Sequence, residues 1–225
     1  MTTLATSKIP HLDPRLAAAA SFVRAGGTAA DIGCDHGKLT AFLALRGDVQ
    51  RVIGADLRPG PLAVAKATCE AAGCMDRVDL RLGDGLQVLA PMEAQDIVLA
   101  GVSAQTTIEI LEAAPWVKTE GVRLVLVPAT KHALLRQWLC RQGFALVEEH
   151  PVQAAGRWYA VMAAEYTGVC REPDGIFCMC GLTTGQDGSR EYLAQELEKL
   201  RKYRRGLAPG AEQQGVDALL QALQD

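Results

Sequence analysis

The sequence predicts an α/β fold with a seven-stranded, mostly parallel sheet that ends in an antiparallel hairpin. Short apolar runs alternate with helical segments five times, which is typical of strand–helix units with crossovers on both faces of a sheet. After residue 143 two apolar runs follow each other directly, which predicts the hairpin. Apolar residues make up 49% of the 225 residues, enough to bury both faces of such a sheet.

Local signals place the individual elements. Asp13 can cap a helix that contains Pro14 in its first turn and ends at Gly26. The strands of the parallel part are predicted at 28–32, 51–56, 77–84, 96–101 and 122–128, and those of the hairpin at 144–152 and 157–166. The helices between the parallel strands are predicted at 38–46, 60–73 and 106–114, with another at 131–143 after the fifth strand.

Three segments of different texture follow one another along the chain. Residues 1–167 form the predicted α/β domain, and residues 168–188 are glycine-rich and predicted to be an irregular linker. Residues 189–225 are predicted to be a helical hairpin, in which Ser189 can cap the first helix. The sequence therefore predicts a small helical extension after the α/β domain.

Composition limits the classes of function. The net charge of −3 gives no general attraction to nucleic acid, so any RNA-binding surface must be local. No N-terminal signal pattern and no apolar run of about 18 residues occur, which predicts a cytoplasmic protein outside the membrane. The seven cysteines lack a C-x-x-C pair; they are expected to be reduced thiols, and no metal site is expected.

Acidic residues and glycines stand at the ends of successive predicted strands. The first strand ends in Asp31-x-Gly33-x-Asp35-x-Gly37, and later strands end in Asp56, in Asp84 and in Ala100-Gly101. The carboxyl ends of parallel strands meet at one edge of an open sheet, where ligands bind. We therefore expect a cofactor site at this edge, formed by Asp31, Gly33, Asp35, Gly37, Asp56, Leu57, Gly83, Asp84, Gly85, Ala100 and Gly101.

The charges at this edge favour S-adenosyl-L-methionine over a dinucleotide. Asp56 can accept hydrogen bonds from ribose hydroxyls, and Asp84 from an adenine amino group. Asp31 or Asp35 suits the ammonium and sulfonium of S-adenosyl-L-methionine, whereas Asp35 would repel a pyrophosphate. The Gly-x-Gly step of a dinucleotide loop is also missing. By analogy, the terminal hairpin agrees with the Rossmann-like fold of class I S-adenosyl-L-methionine-dependent methyltransferases.

Several motifs resemble the bacterial tRNA (adenine-22-N1)-methyltransferases. "ADIGCDHGKL" resembles that family's "ADIGSDHAYL", "RLGDGLQVL" its "RxGDGLxVI", and "LVLVPATKHALLRQWL" its "LILQPNxxxxxLRxWL". The N-terminal "LDPRL" loosely resembles its "LSxRL", and "RWYAVMAAE" its "xxYEVLxAE". The resemblance implies methyl transfer from S-adenosyl-L-methionine to adenine N1 in tRNA.

Two substrate-side motifs depart from that family. Its "AGMGG" corresponds to Ala100-Gly101-Val102-Ser103-Ala104, and its "QPN" to Val127-Pro128-Ala129, where only the proline is retained. Two further hypotheses therefore stand beside tRNA adenine methylation. One is a methyltransferase with another substrate; the other is a non-catalytic S-adenosyl-L-methionine-binding protein that interacts with RNA or protein.

The candidate catalytic residues are Asp35, His36 and Pro128, of which His36 has an alternative structural role near a helix start. The candidate tRNA-binding surface is a cationic stretch at the end of the first C-terminal helix, which contains Lys199, Arg201, Lys202, Arg204 and Arg205. Cations are also favoured at a helix C-terminus by the helix dipole, which is the alternative explanation. Lys131, His132 and Arg136 are expected to extend the surface.

Overall fold

The computed structural model describes residues 9–223. Residues 1–8, at the start of the predicted 1–167 domain, and residues 224–225, at the end of the predicted helical hairpin, lie outside the described residues. The strands are β1 Thr28–Ile32, β2 Arg51–Asp56, β3 Val78–Leu82, β4 Asp96–Ala100, β5 Arg123–Val127, β6 Phe144–Ala154 and β7 Arg157–Tyr166. The helices are α1 Pro14–Phe22, α2 Lys38–Arg46, α3 Pro59–Ala72, α4 Ala104–Glu112, α5 His132–Arg141, α6 Gly175–Cys180, α7 Ser189–Arg205 and α8 Ala211–Ala222.

The seven strands form one sheet in the order β3-β2-β1-β4-β5-β7-β6. Strands β1 to β5 pair in parallel, while β7 runs antiparallel to β5 and β6 antiparallel to β7. Ile32 lies beside Ala55, and Ala100 beside Val127, so the carboxyl ends of four central strands meet at one edge. The predicted mostly parallel sheet with its terminal hairpin is confirmed.

Both faces of the sheet are buried. Val98 packs into the core under α1, α2 and α3, whereas its neighbours Ile97 and Leu99 pack under α4 and α5. This alternation follows from the period of two residues along a strand. Tyr192 of α7 is fully buried in the second of these cores, so the first C-terminal helix packs against the α/β domain. Within residues 9–223, no helix is long and apolar enough to cross a membrane.

Some predicted boundaries differ from the structure. The segment 168–188 contains α6, whose start is capped by Asp174 accepting a hydrogen bond from the backbone N–H of Phe177. The N-cap of α7 is Gly188 rather than Ser189, because the chain enters the helix through a left-handed residue with φ of 78°. Helix α4 begins two residues before the predicted 106, because Ser103 caps it.

A buried ion pair joins four elements around α5. Arg136 on α5 donates to the Glu149 carboxylate on β6 at 2.7 Å, and both side chains are fully buried. It also donates to the Tyr192 hydroxyl on α7 and to the backbone carbonyls of Cys178 and Met179 on α6. The predicted place of Arg136 on an RNA-binding surface is therefore wrong, because packing of α6 and α7 covers it.

We expect Arg136→Met to lower the free energy of unfolding by about 3–5 kcal/mol, because it leaves the buried Glu149 carboxylate without its cation. Arg141→Met is the matched control, since Arg141 on the same helix pairs with Glu172 in solvent. Its free energy of unfolding should stay close to that of the wild type in urea titrations. Equal losses in the two variants would contradict this account of the buried pair.

Candidate functional site

Two adjoining cavities lie at the carboxyl edge of the sheet. The small cavity, about 220 Å³, lies between the start of α1, the loop after β1 and the end of β5. The large cavity, about 390 Å³, extends along the ends of β2, β3 and β4. They meet at a junction formed by Gly33, Asp35, Ala100 and Gly101, which line both cavities.

The structure brings together ten of the eleven residues predicted to bind the cofactor. Besides the four junction residues, Asp31 lines the small cavity. Gly37 lines neither cavity; a Cβ atom there would lie 2.7 Å from the Cβ of Ala65 on α3. Helix packing therefore requires a glycine at 37. The other five predicted residues line the large cavity: Asp56, Leu57, Gly83, Asp84 and Gly85.

The loop after β1 has left-handed backbone where it borders the cavities. Gly33 has φ of 78°, and the direction of a Cβ there meets no atom within 4 Å. A ligand can therefore approach this backbone closely. Asp35 also has a positive φ, 48°, which is uncommon for a residue with a side chain. This conformation points to external hydrogen bonds that hold the loop.

Asp56 supplies one of those bonds. Its buried carboxylate accepts hydrogen bonds from the backbone N–H of Asp35, at 3.2 Å, and of Arg58, at 2.9 Å. The backbone N–H groups of Gly33 and Cys34 donate to the carbonyl of Ala55, each at 2.8 Å. The end of β2 therefore holds the loop after β1, and each Asp56 oxygen keeps a further lone pair for a ligand in the large cavity.

Asp31 is a buried acid at the wall of the small cavity. The Thr40 hydroxyl donates to its carboxylate at 2.7 Å. Burial raises the pKa of Asp31 to about 6, and the negative charge of Asp56 acts in the same direction. A cationic group in the small cavity would stabilise the ionised carboxylate, so the site is suited to an ammonium.

Asp35 and His36 form an exposed pair beside the junction. The Asp35 Oδ2 lies 2.5 Å from the His36 Nδ1, and each side chain is more than half exposed. His36 lines only the small cavity. The imidazole can therefore orient the carboxylate toward the junction, or itself face a substrate that enters from solvent.

The start of α1 adds three residues to the small cavity that were not predicted there: the N-cap Asp13, Arg15 and Leu16. Asp13 caps the helix and pairs with the Arg15 guanidinium at 2.9 Å. The guanidinium also lies over the Tyr159 ring, 4.7 Å from its centroid. The match of "LDPRL" to the resembling family was the only signal for this position, because none of the three residues stands at a strand end.

The large cavity carries an excess of negative charge. Asp35, Asp56 and Asp84 line it with a single cation, Arg58. Ile110 and Val102 add apolar walls that suit a flat base. This donor and acceptor set fits a cationic nucleoside better than a pyrophosphate. Among the described residues, 9–223, no group of three or more acidic, histidine or cysteine side chains is placed to hold a metal ion.

The loops after β4 and β5 hold each other at the substrate side. The backbone N–H of Ala129 donates to the Val102 carbonyl at 2.8 Å, and that of Ala104 to the Thr130 carbonyl at 3.2 Å. At the positions of the two trailing family glycines stand Ser103, which caps α4, and Ala104, its first residue, while Val102 lines the large cavity. Pro128 lines neither cavity, whereas the preceding Val127 lines the small one.

The candidate RNA-binding cations lie at the end of α7. Three of them pair with carboxylates: Lys199 with Glu196, Arg201 with Glu198, and Arg204 with Asp217 of α8. In the part of the chain that the structure describes, no ion pair involves Lys202 or Arg205, and both are exposed. Of the predicted extension, Lys131 is exposed, but His132 is buried and cannot contact RNA.

Comparisons with known proteins agree with this site. Residues 12–162 match the family described as "Methyltransferase domain". The tRNA (adenine(22)-N(1))-methyltransferase of Bacillus subtilis (strain 168) is 32% identical over 188 residues, which are 84% of this chain and 79% of that protein.

Two crystal structures show the same fold over almost the whole chain. One is Streptococcus pneumoniae Sp1610, described as a tRNA (m1A22) methyltransferase, in complex with S-adenosyl-L-methionine. Its TM-score is 0.80 at 27% identity, and the match covers 93% of this chain and 96% of that one. The other is the B. subtilis m1A22 tRNA methyltransferase TrmK, with a TM-score of 0.75 at 25% identity, where the match covers 97% of this chain and 100% of that one. With the sequence match over most of both chains, these similarities show that the chain belongs to the tRNA (adenine-22-N1)-methyltransferase family.

Proposed function

We propose that this chain methylates N1 of adenine 22 in tRNA with S-adenosyl-L-methionine as the methyl donor. The observation that carries the proposal is the junction: two adjoining cavities, both lined by carboxylates, share Gly33, Asp35, Ala100 and Gly101. The family match supplies the substrate class. The family match favours a tRNA methyltransferase over both a methyltransferase of another substrate and a non-catalytic relative.

The residues that would hold S-adenosyl-L-methionine divide between the cavities. Asp56 would accept hydrogen bonds from the ribose hydroxyls, and Asp84 from the adenine amino group. Asp31 and Asp35 would balance the positive charges of the methionine part. Leu57 and Ile110 would provide apolar contacts for the base. Gly33 and Gly101 give the cofactor close access to the backbone.

When bound, the cofactor supplies a methyl group that is already activated by a positively charged sulfur. Adenine N1 carries a lone pair, so no residue needs to remove a proton before the bond forms. The protein therefore contributes alignment and exclusion of water, for which Leu39, Ala100 and Val127 provide apolar walls. The methylated base is a cation, and the Asp35 carboxylate at the junction stabilises it.

His36 and Pro128 act indirectly in this mechanism. His36 holds the Asp35 carboxylate through their 2.5 Å contact, and its other ring nitrogen is left for a hydrogen bond to substrate. Pro128 acts through its loop, because its side chain lines neither cavity. The free thiol state of all seven cysteines and a tRNA substrate support a cytoplasmic location.

For tRNA we propose that Lys202 and Arg205 make the first phosphate contacts on α7, because neither cation is held by a carboxylate among residues 9–223. Lys199, Arg201 and Arg204 are partly neutralised and would contribute after exchanging their carboxylate partners for phosphates. Lys131, which is exposed in the loop after β5, is a further candidate for a phosphate contact.

The function is tested with unmodified tRNA, S-adenosyl-L-methionine carrying a labelled methyl group, and mapping of the methylated position. We expect one methyl group at N1 of adenine 22, and none in a control tRNA with guanine at that position. Calorimetric binding of S-adenosyl-L-methionine without any transfer to tRNA would instead support a non-catalytic binding protein. Transfer to another position would show that N1 of adenine 22 is not the target.

Cofactor affinity should rise with pH between 5 and 7. At pH 5 the Asp31 carboxyl, with its pKa raised to about 6, is largely protonated and cannot balance an ammonium. Below the pKa we expect affinity to fall by up to about tenfold per pH unit, and to level off above it. Asp31→Asn should bind more weakly at pH 7 and lose the pH dependence in calorimetry. If the affinity of Asp31→Asn depends on pH in the same way as that of the wild type, a group other than Asp31 titrates.

The double variant Lys202→Gln/Arg205→Gln should bind tRNA with a weaker dependence on salt. Each lost phosphate contact lowers the slope of log affinity against log salt concentration by roughly 0.7–0.9. Arg51→Gln is the control, since Arg51 begins β2 at the opposite edge of the sheet from the cavities. An unchanged slope in the double variant would place the phosphate contacts on another surface.

A further inference from the structure

The loop 128–131 connects the substrate side of the site to α5. It follows Val127, which lines the small cavity, and it is bonded to the loop after β4 through Ala129 and Thr130. The partner of Ala129 in that loop is Val102, a wall of the large cavity. A shift of loop 128–131 would therefore move wall residues of both cavities.

A buried histidine holds this loop from behind. His132, the first residue of α5, is 1% exposed, and its Nε2 lies 3.1 Å from the Pro128 carbonyl oxygen. Its Nδ1 lies 3.0 Å from the Tyr192 hydroxyl of α7. The His132 ring therefore connects α7 with loop 128–131. Its contact in the loop is the backbone carbonyl of Pro128, whose side chain lines neither cavity.

The neighbouring donors fix where the protons lie. Arg136 donates to the Tyr192 oxygen at 2.8 Å, so the Tyr192 hydroxyl hydrogen is free to point at His132 Nδ1. With Nδ1 as the acceptor, the proton of a neutral ring sits on Nε2 and is donated to the Pro128 carbonyl. Reversing the tautomer would place a lone pair against a carbonyl oxygen, which is unfavourable.

The charges around the ring keep it neutral. Burial lowers the pKa of His132 to about 4, and the nearby Arg136 and Lys199 act in the same direction. The Glu196 carboxylate, 3.6 Å from Nδ1, opposes them, but it also binds the Lys199 ammonium at 2.5 Å. A ring with this balance of charges keeps one donor and one acceptor at neutral pH.

We propose that His132 is a positioning residue for methyl transfer: its Nε2–H holds loop 128–131, and its orientation is set by Tyr192 on α7. The role in transfer rests on the proposed function, whereas the hold on the loop can be measured without any activity. Through this ring, the helix that carries the candidate tRNA-binding cations is coupled to the walls of both cavities.

Two isosteres of His132 separate this role from simple packing. The side-chain amide of glutamine can reach the Nε2 position and donate to the Pro128 carbonyl, whereas that of asparagine reaches only the Nδ1 position. Both substitutions remove the ring and its packing. His150→Gln and His150→Asn are the controls, because His150 lies on β6 with its side chain partly exposed and lines neither cavity.

Amide hydrogen exchange tests the hold on the loop in the full chain. In His132→Asn we expect exchange at Ala129 and Ala104 to be faster by on the order of tenfold, whereas His132→Gln stays near the wild type. Nitrogen chemical shifts of the wild-type ring should show the Nε2–H tautomer from pH 6 to 8. A ring that titrates in this range, or equal exchange in both variants, would overturn the proposal.

Turnover then tests the consequence for catalysis. We expect His132→Asn to lower kcat for tRNA by on the order of tenfold, a larger factor than its loss of affinity for S-adenosyl-L-methionine, and His132→Gln to restore most of it. If the loss of kcat in each variant only follows the loss in its melting temperature, His132 has a structural role and no positioning role. Absence of transfer by the wild type would refute the proposed function instead, and the exchange measurement would still decide the hold on the loop.

Discussion

The Asp56 carboxylate is the interaction on which the geometry of the site depends. It is almost fully buried at the end of β2, yet it accepts from the backbone of Asp35 in the loop after β1 and from Arg58 at the start of α3. The loop needs such a partner because Asp35 has a left-handed backbone conformation that few residues with side chains adopt. One acid therefore shapes the junction of the cavities and, in the proposed function, also faces the cofactor.

The substrate side is organised from the opposite direction. Backbone hydrogen bonds join the loops after β4 and β5, and a buried histidine connects the second loop to α7. Helix α7 in turn is fixed by Tyr192 and by the buried Arg136–Glu149 pair. Through Tyr192, α7 therefore contributes to the same core as the sheet, and the cations lie further along this anchored helix.

The sequence predicted the fold and the acids and glycines at strand ends that line the cavities, because both follow from local rules. Acids at strand ends, such as Asp56 and Asp84, can be read directly once the strands are known to be parallel. The positions of the other predicted residues depend on tertiary packing. Gly37 is explained by Ala65 on another helix, and His132 and Arg136 look like surface cations until α6 and α7 cover them. Those contacts join residues that are far apart in sequence, so no local pattern reports them.

The most direct test of this account is calorimetric binding of S-adenosyl-L-methionine to Asp56→Ala. Affinity should fall by the equivalent of about 1.5–3 kcal/mol, because a charged acceptor for the ribose hydroxyls is lost together with a hydrogen bond that holds the loop after β1. Asp79→Ala, an acid of the neighbouring β3 that pairs with Arg51 and Arg81, should bind like the wild type. Unchanged affinity in Asp56→Ala would contradict the account and reduce Asp56 to a turn residue.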